Sequence, residues 1–413
     1  MAELGAVVQA ALNAADKLEE WTRPEKVEVE EWRKNWDTTV YRKAKGIVCI
    51  ISPWNYPCAL SLLPLVGAIV AGCAAAIKPS ELSSCTSTLL ATLFPQYLDP
   101  SSYSIINGSI PETTKILSLK WNHIFFAGGI KVGRVVAEAA AKWVCPLTLE
   151  LGGKSPVWVD GGNTELDIAA RRILWGKQQN TGQLCVSPDY VLIPRFHQEA
   201  FIAALAKAYK SFWPDGPLAP SSDIGKIVNE AHYSRIVDVL KRTKGEVVLG
   251  GKFGGEGERR LEVTVVKDVG LGHSLMEDEI FGPVLPIIPI DGDVDEALSI
   301  INNRPTGVPL VIYIFSENEK TKEKFVNETD SGTFVMDDTF QQLAGHEMPF
   351  GGHGESGYGG YLGIHSFDTF THQRSFINVP FAAESVLGGR YPPYSEQAYA
   401  FFSGSVNVRI PEV

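Results

Sequence analysis

The sequence predicts an α/β protein with parallel, doubly wound sheet, and three observations support this. Strand-like and helix-like segments alternate from residue 45 onward, a glycine pair (Gly128-Gly129) stands at a strand–helix turn, and a second α/β series follows Gly152-Gly153. Strand–helix–strand repetition needs crossover connections, which produce parallel pairing.

The elements follow in order. Leu4, Val7, Val8, Ala11, Leu12, Ala15 and Leu18 fall near a 3.6-residue period, so the first residues read as a helix. Residues 46–51 read as a buried strand, 59–73 as a helix and 74–77 as a second strand. A helix near 82–93 and strands at 103–106 and 123–126 come next, the last running into Gly128-Gly129 and a helix over 130–141. The second series holds an amphipathic helix near 164–178, a strand at 190–193 and a helix at 196–211. After it come strands at 284–290, 310–315 and 332–335, with helices at 293–302 and 318–328 between them. The glycine-rich, charged segment 250–257 reads as a surface loop. From 383 to 413, with Pro392-Pro393 and little periodicity, the chain reads as extended or partly disordered.

Composition narrows the function classes. The chain has 413 residues, enough to bury a large core in two or three domains. Lys and Arg total 37 against 48 acidic residues, a net charge of −11 with no basic block, which argues against a nucleic-acid surface. Six scattered cysteines, with no Cys-x-x-Cys pair and no histidine at ligand spacing, read as reduced thiols in an intracellular, cytoplasmic protein without a metal site. The uncharged run 59–77 approaches the length of a membrane span, but Pro64 and its small residues favour a buried helix and strand. No secretory signal or membrane anchor is visible.

Seven segments carry candidate chemistry. Asn55 stands between Pro53 and Pro57 in Ser52-Pro53-Trp54-Asn55-Tyr56-Pro57, where its amide could donate to an oxyanion or simply satisfy a turn. Lys78 and Glu81, in Lys78-Pro79-Ser80-Glu81, follow a predicted strand, where ligands bind in open α/β sheets; a solvated ion pair is the plainer reading. Gly128, Gly129 and Gly133 lie where backbone N–H groups would face a phosphate. Glu150 lies in Thr148-Leu149-Glu150-Leu151-Gly152-Gly153-Lys154-Ser155-Pro156, and Cys185 in Asn180-Thr181-Gly182-Gln183-Leu184-Cys185. A thiol captures acyl groups, and a carboxylate held nearby activates water against them. Separately, Glu150 reads as a surface acid and Cys185 as a core filler. Glu279, in Glu279-Ile280-Phe281-Gly282-Pro283, and Phe350, in Pro349-Phe350-Gly351-Gly352, complete the set.

Taken together, these strings resemble the aldehyde dehydrogenase superfamily in order from about residue 46 to 376. Asn122-His123-Ile124-Phe125-Phe126, Leu174-Trp175-Gly176-Lys177 and the segment 366–374 look like its class 3 branch, which includes fatty-aldehyde and apocarotenal dehydrogenases. The resemblance implies oxidation of an aldehyde to an acid through a thioester on Cys185, with Asn55 as oxyanion donor and Glu150 as the base. It also implies NAD, or NADP, held by Trp54, Lys78, Glu81, Gly128, Gly129, Gly133, Leu151, Glu279 and Phe281, with Tyr56 and Phe350 at the substrate end. Glu81 then favours NAD, because a carboxylate repels a 2′-phosphate.

The implied organisation is a Rossmann-like NAD-binding domain (1–31 and 46–150), an α/β catalytic domain (151–360), a bridging arm (32–45 and 367–381) that pairs two copies into a homodimer, and an extended tail (382–413). Departures from the family pattern are a shortened start, a glycine at 129 in place of Ser or Thr, and Ile364 in place of a common lysine. Two other readings stay open on the residues: a thiol-dependent esterase, acyl-transferase or rearrangement enzyme working without nucleotide, and an impaired homologue that only binds.

Overall fold

The computed structural model describes residues 2–255, 257–345 and 347–404. The chain divides into two compact units, Met1–Trp21 with Ala44–Thr371, and Thr22–Lys43 with His372–Val413.

The larger unit contains two sheets. The first has six strands in the order Gly357–Tyr358, Leu147–Glu150, His123–Ala127, Ile47–Ile51, Ala74–Lys78, Tyr103–Ile105. All its pairings are parallel except that of Gly357–Tyr358 with Leu147–Glu150. The chain starts at the centre with Ile47–Ile51, adds two strands on one side, then returns to add two on the other. The order therefore reverses between Ile47–Ile51 and His123–Ala127, and a crevice opens there at the carboxyl ends of the strands. The strands read as continuous apolar runs because helices cover the sheet; Val48, Ile50, Ile77 and Phe125 are fully buried.

The second sheet has seven strands in the order Glu246–Leu249, Thr264–Lys267, Val284–Ile290, Tyr190–Pro194, Pro156–Val159, Val311–Phe315, Thr333–Met336. It is parallel except at the edge strand Glu246–Leu249. The uncharged run near 59–77 forms the buried helix Ala59–Val70 and the strand Ala74–Lys78, as its composition suggested. Among the described residues, no helix is long and apolar enough to cross a membrane.

The first helix spans Ala2–Thr22, but its buried face is not the apolar stripe noted in the sequence. Ala14 and Trp21 face inward, while Leu4, Val8 and Leu12 are exposed. Periodicity specifies a helix but not which side finds a partner.

In the smaller unit, Glu25–Lys26, Asp37–Ala44 and Thr371–Asn378 form a three-stranded sheet. Tyr41 and Phe376 meet edge-on at 5.8 Å within it. The segment past 382, expected to be extended, instead carries the short helices Glu384–Leu387 and Glu396–Gly404. Few apolar repeats mark helices this short, so a periodicity argument passes over them. Residues 405–413 of that expected tail lie outside the described residues.

Candidate active site

Four of the sequence candidates stand at or just beyond carboxyl ends of the first sheet. Asn55 follows Ile47–Ile51, Lys78 ends Ala74–Lys78, Gly128 follows His123–Ala127, and Glu150 ends Leu147–Glu150. The second sheet contributes from its amino ends: Cys185 precedes Tyr190–Pro194, and Glu279 precedes Val284–Ile290. Asn55 Nδ2 donates to the Gln183 carbonyl at 3.1 Å, and Asn180 Nδ2 donates to the Asn55 carbonyl at 2.8 Å, so the two sheets are stitched together beside the thiol. An amide nitrogen has two N–H groups, which leaves Asn55 a second donor.

The turn ahead of Cys185 is strained. Asn180, Thr181 and Gly182 are all left-handed, at φ 45°, 57° and 72°. A β-branched residue in that region is unfavourable and persists only where its surroundings over-determine it. A Cβ on Gly182 would lie 2.2 Å from the Gly282 carbonyl oxygen, so only glycine fits. Gln183 braces the turn, donating to the Asn180 and Lys226 carbonyls (3.1 and 3.2 Å) and accepting from the Val228 N–H (3.0 Å). Behind the nucleophile, Tyr313 donates to the Val186 carbonyl at 2.6 Å, and Gln342 donates to the Tyr313 hydroxyl at 3.1 Å.

Electrostatics define the chamber. Burial first, then the charges of Glu279 and Glu150, push the Cys185 thiol up to about 12, against smaller help from the N–H groups of Cys185 and Val186. Glu150 is buried, and neither carboxyl oxygen has a hydrogen-bond partner, so burial holds its carboxyl well above its ordinary value of 4.5. Glu279 behaves likewise: burial raises it first, Asp189 adds to this, and a hydrogen bond from the Gly153 N–H opposes it. A Cβ on Gly152 would lie 2.4 Å from a Glu279 oxygen, so the glycine makes room for that carboxyl.

Several residues of the site were given no role from the sequence, although Lys154 and Lys177 lie in strings quoted above. The buried Lys154–Asp189 ion pair ties the motif after Glu150 to the segment after Cys185. Lys154 also donates to the carbonyls of Leu275 (2.8 Å) and Asp278 (3.0 Å), anchoring the segment that carries Glu279. Lys177 is fully buried with no hydrogen-bond partner, and burial lowers it to about 8. The buried Tyr361 senses both Glu150 and Cys185, and its ring meets Phe350 edge-on at 5.8 Å. Phe350 itself is buried. Tyr56, also near the thiol, is half-buried.

The remaining candidates lie in the turns and helices around the strand ends, with Gly133 inside the helix Ile130–Ala141 and Phe281 in the segment before Val284–Ile290. Lys78 donates to Glu81 at 2.7 Å. Partial burial would raise the Glu81 carboxyl, but the Lys78 hydrogen bond, its own backbone N–H and the Lys78 charge carry it below its ordinary value. A Cβ on Gly128 would meet the Phe126 ring at 2.6 Å, and one on Gly133 would meet the buried Leu151 at 2.7 Å. Gly129, by contrast, has nothing within 4 Å of that position and opens the helix Ile130–Ala141 without a side-chain cap. Trp54 packs against Phe281 and His232, each at 5.5 Å between ring centres. Uncapped helix N–H groups beside open space suit a diphosphate, the Lys78–Glu81 pair suits ribose hydroxyls, and the aromatic set suits a planar ring. These residues fit a dinucleotide. No group of three or more His, Cys, Asp or Glu among the described residues could hold a metal ion.

The sequence model described as the aldehyde dehydrogenase family matches residues 1–376. The chain belongs to the aldehyde dehydrogenase family. It is 45% identical over 351 residues to aldehyde dehydrogenase family 3 member A2 of Mus musculus, covering 85% of this chain and 71% of that one. It is 42% identical over 377 residues to the dimeric NADP-preferring aldehyde dehydrogenase of Canis lupus familiaris, covering 91% and 82%. A structure of Staphylococcus aureus AldH in a substrate-bound state superposes with a TM-score of 0.93 at 37% identity, covering 98% of this chain and 86% of that one. As an aldehyde dehydrogenase, the protein is an NAD(P)-dependent oxidoreductase acting on the aldehyde group.

Proposed function

We propose that this aldehyde dehydrogenase converts a medium or long aliphatic, aromatic or terpenoid aldehyde to its acid through a thioester on Cys185. The observation that carries the proposal is a buried carboxyl, Glu150, with both oxygens unpartnered and its charge felt by the thiol. Cys185 releases its proton to solvent and attacks the carbonyl carbon as the thiolate, while Asn55 and the Cys185 N–H hold the oxyanion. A nicotinamide dinucleotide, when bound, would supply the hydride acceptor, and Cys185 would keep the acyl group on its sulfur. Glu150 then takes a proton from water as its oxygen attacks the thioester, and the acid leaves with the thiol restored. Lys78, Glu81, the N–H groups from Gly129 onward, Trp54, Leu151, Phe281 and Glu279 would hold the cofactor. Glu81 favours NAD over NADP, since its charge would repel a 2′-phosphate.

The test is NADH production over a panel of C2–C16, benzaldehyde-type and isoprenoid aldehydes, run with NAD and NADP side by side; no turnover of any of them would sink the reading. Within the same assay, Asn55→Ala is expected to lose roughly 10²–10³ in kcat, the usual cost of one oxyanion donor. An unchanged kcat would remove Asn55 from that role.

The same proposal assigns cofactor binding to 1–31 and 46–150, catalysis to 151–360, and pairing of two copies to the arm at 32–45 and 367–381. Ile377, Val379 and Phe381 are exposed along that arm at alternate positions, apolar side chains that a second copy would cover. Light scattering at micromolar concentration is expected to return twice the chain mass. A cytoplasmic location belongs to the proposal as well, since all six cysteines are free.

A further inference from the structure

Among the ionisable groups that the mechanism leaves without a task is one that meets the turn carrying Asn55. The helix Ala59–Val70 has no cap of its own: Cys58, at its N-terminal boundary, has helical backbone angles and its side chain caps nothing. Its first N–H groups are met instead by a residue 55 positions upstream. Glu3 Oε2 accepts from the N–H of Cys58 at 3.0 Å and from that of Ala59 at 2.9 Å. A carboxylate there satisfies donors that have no partner within the helix and lies at the positive end of the helix dipole.

The turn closed in this way is Asn55-Tyr56-Pro57-Cys58. Its far end is held by Asn180, whose Nδ2 donates to the Asn55 carbonyl at 2.8 Å, and the Leu60 N–H reaches back to the Tyr56 carbonyl at 2.9 Å. Glu3 and Asn180 thus grip one four-residue turn from opposite ends. Tyr56 reports how near this clamp is to the thiol: burial first, then the charges of Glu3 and Cys185, push its phenol up to about 12.

We propose that Glu3 is a positioning residue of the aldehyde site, capping the helix that begins at Ala59 and thereby fixing the Asn55 amide where the oxyanion forms. The inference rests on Asn55 being the oxyanion donor. Glu3 touches no reacting atom and works through the backbone of the turn.

The experiment measures pre-steady-state NADH formation from hexanal and NAD affinity by calorimetry for Glu3→Ala, Glu3→Gln, Asn55→Ala and the double variant Glu3→Ala/Asn55→Ala. Glu3→Ala is expected to slow the first turnover roughly tenfold with NAD affinity unchanged, less than the roughly 10²-fold loss that a 1 Å misplacement can produce. Glu3→Gln should recover most of that rate, because its amide oxygen can accept the same two N–H groups. The double variant should be no slower than Asn55→Ala alone, since residues acting through one another do not add.

A Glu3→Ala enzyme at the original rate beside a slow Asn55→Ala enzyme would overturn the inference and leave the oxyanion assignment standing. So would a folded Glu3→Gln enzyme as slow as Glu3→Ala, or losses that multiply in the double variant. An unimpaired Asn55→Ala enzyme would overturn both.

Discussion

Cys185→Ala is expected to abolish aldehyde-dependent NADH formation, with a loss on the order of 10⁵–10⁶, the scale seen when a covalent nucleophile is removed from a hydrolase. The geometry isolates this effect. The loop around Cys185 is held by Gln183, Tyr313 and Gln342 rather than by the sulfur, so the alanine variant keeps its fold. Its stability should stay within about 1 kcal/mol of the parent, as for most single substitutions away from a buried network. None of the groups assigned to the dinucleotide is changed by the substitution, so calorimetry should show NAD binding intact. Residual turnover near the original rate would show that another residue carries the acyl group.

Glu150→Gln is expected to move activity and stability in opposite directions. Without the base, formation of the acyl-enzyme continues but its hydrolysis slows by about 10²–10⁴, the range for a positioned proton acceptor. A rapid first turnover followed by a slow steady state is the signature, and equal slowing of both phases would remove Glu150 from the hydrolytic step. In the parent enzyme the steady-state rate should climb with pH as Glu150 loses its proton, above the pH of an ordinary carboxylate because burial raises this group.

The stability sign follows from the same burial. The folded state holds the Glu150 proton more tightly than the unfolded chain does. Its favourable contribution is therefore complete below the ordinary value of 4.5 and is lost as pH rises through the elevated folded value. Glutamine does not titrate. At pH 8 Glu150→Gln should be the more stable protein by about 1–3 kcal/mol, the scale for an unsatisfied buried group. At pH 4 the two should coincide. Denaturant unfolding at both values checks this.

Much of the larger unit was legible before any coordinates. The strands Ile47–Ile51, Ala74–Lys78 and His123–Ala127 announce themselves as short apolar runs, and Ile130–Ala141 matches its expected bounds. Other elements were not signalled. Pro156–Val159 and Thr264–Lys267 are four residues each, too short for a period to register, and Glu230–Arg242 is mostly polar, burying only Ile236 and Leu240. The site divides in the same way. Cys185, Glu150 and Asn55 lie in recognisable strings whose residue types suggest their roles, whereas Lys154 and Lys177 lie in such strings without one, and these two, Tyr361, His232 and Asp189 owe their significance to neighbours far away in the chain.

By itself, then, the sequence determined the kinds of element, their order and the residue types available for chemistry. Those depend on local periods and short strings, in which each residue is constrained by partners a few positions away. Only the tertiary structure decided that Glu150 is buried with no partner, that Glu279 lies over Gly152, and that Glu3 closes the Asn55 turn. Desolvation and hydrogen-bond satisfaction depend on what packs around a group, and here the packing partners come from strands and helices separated by tens to hundreds of residues.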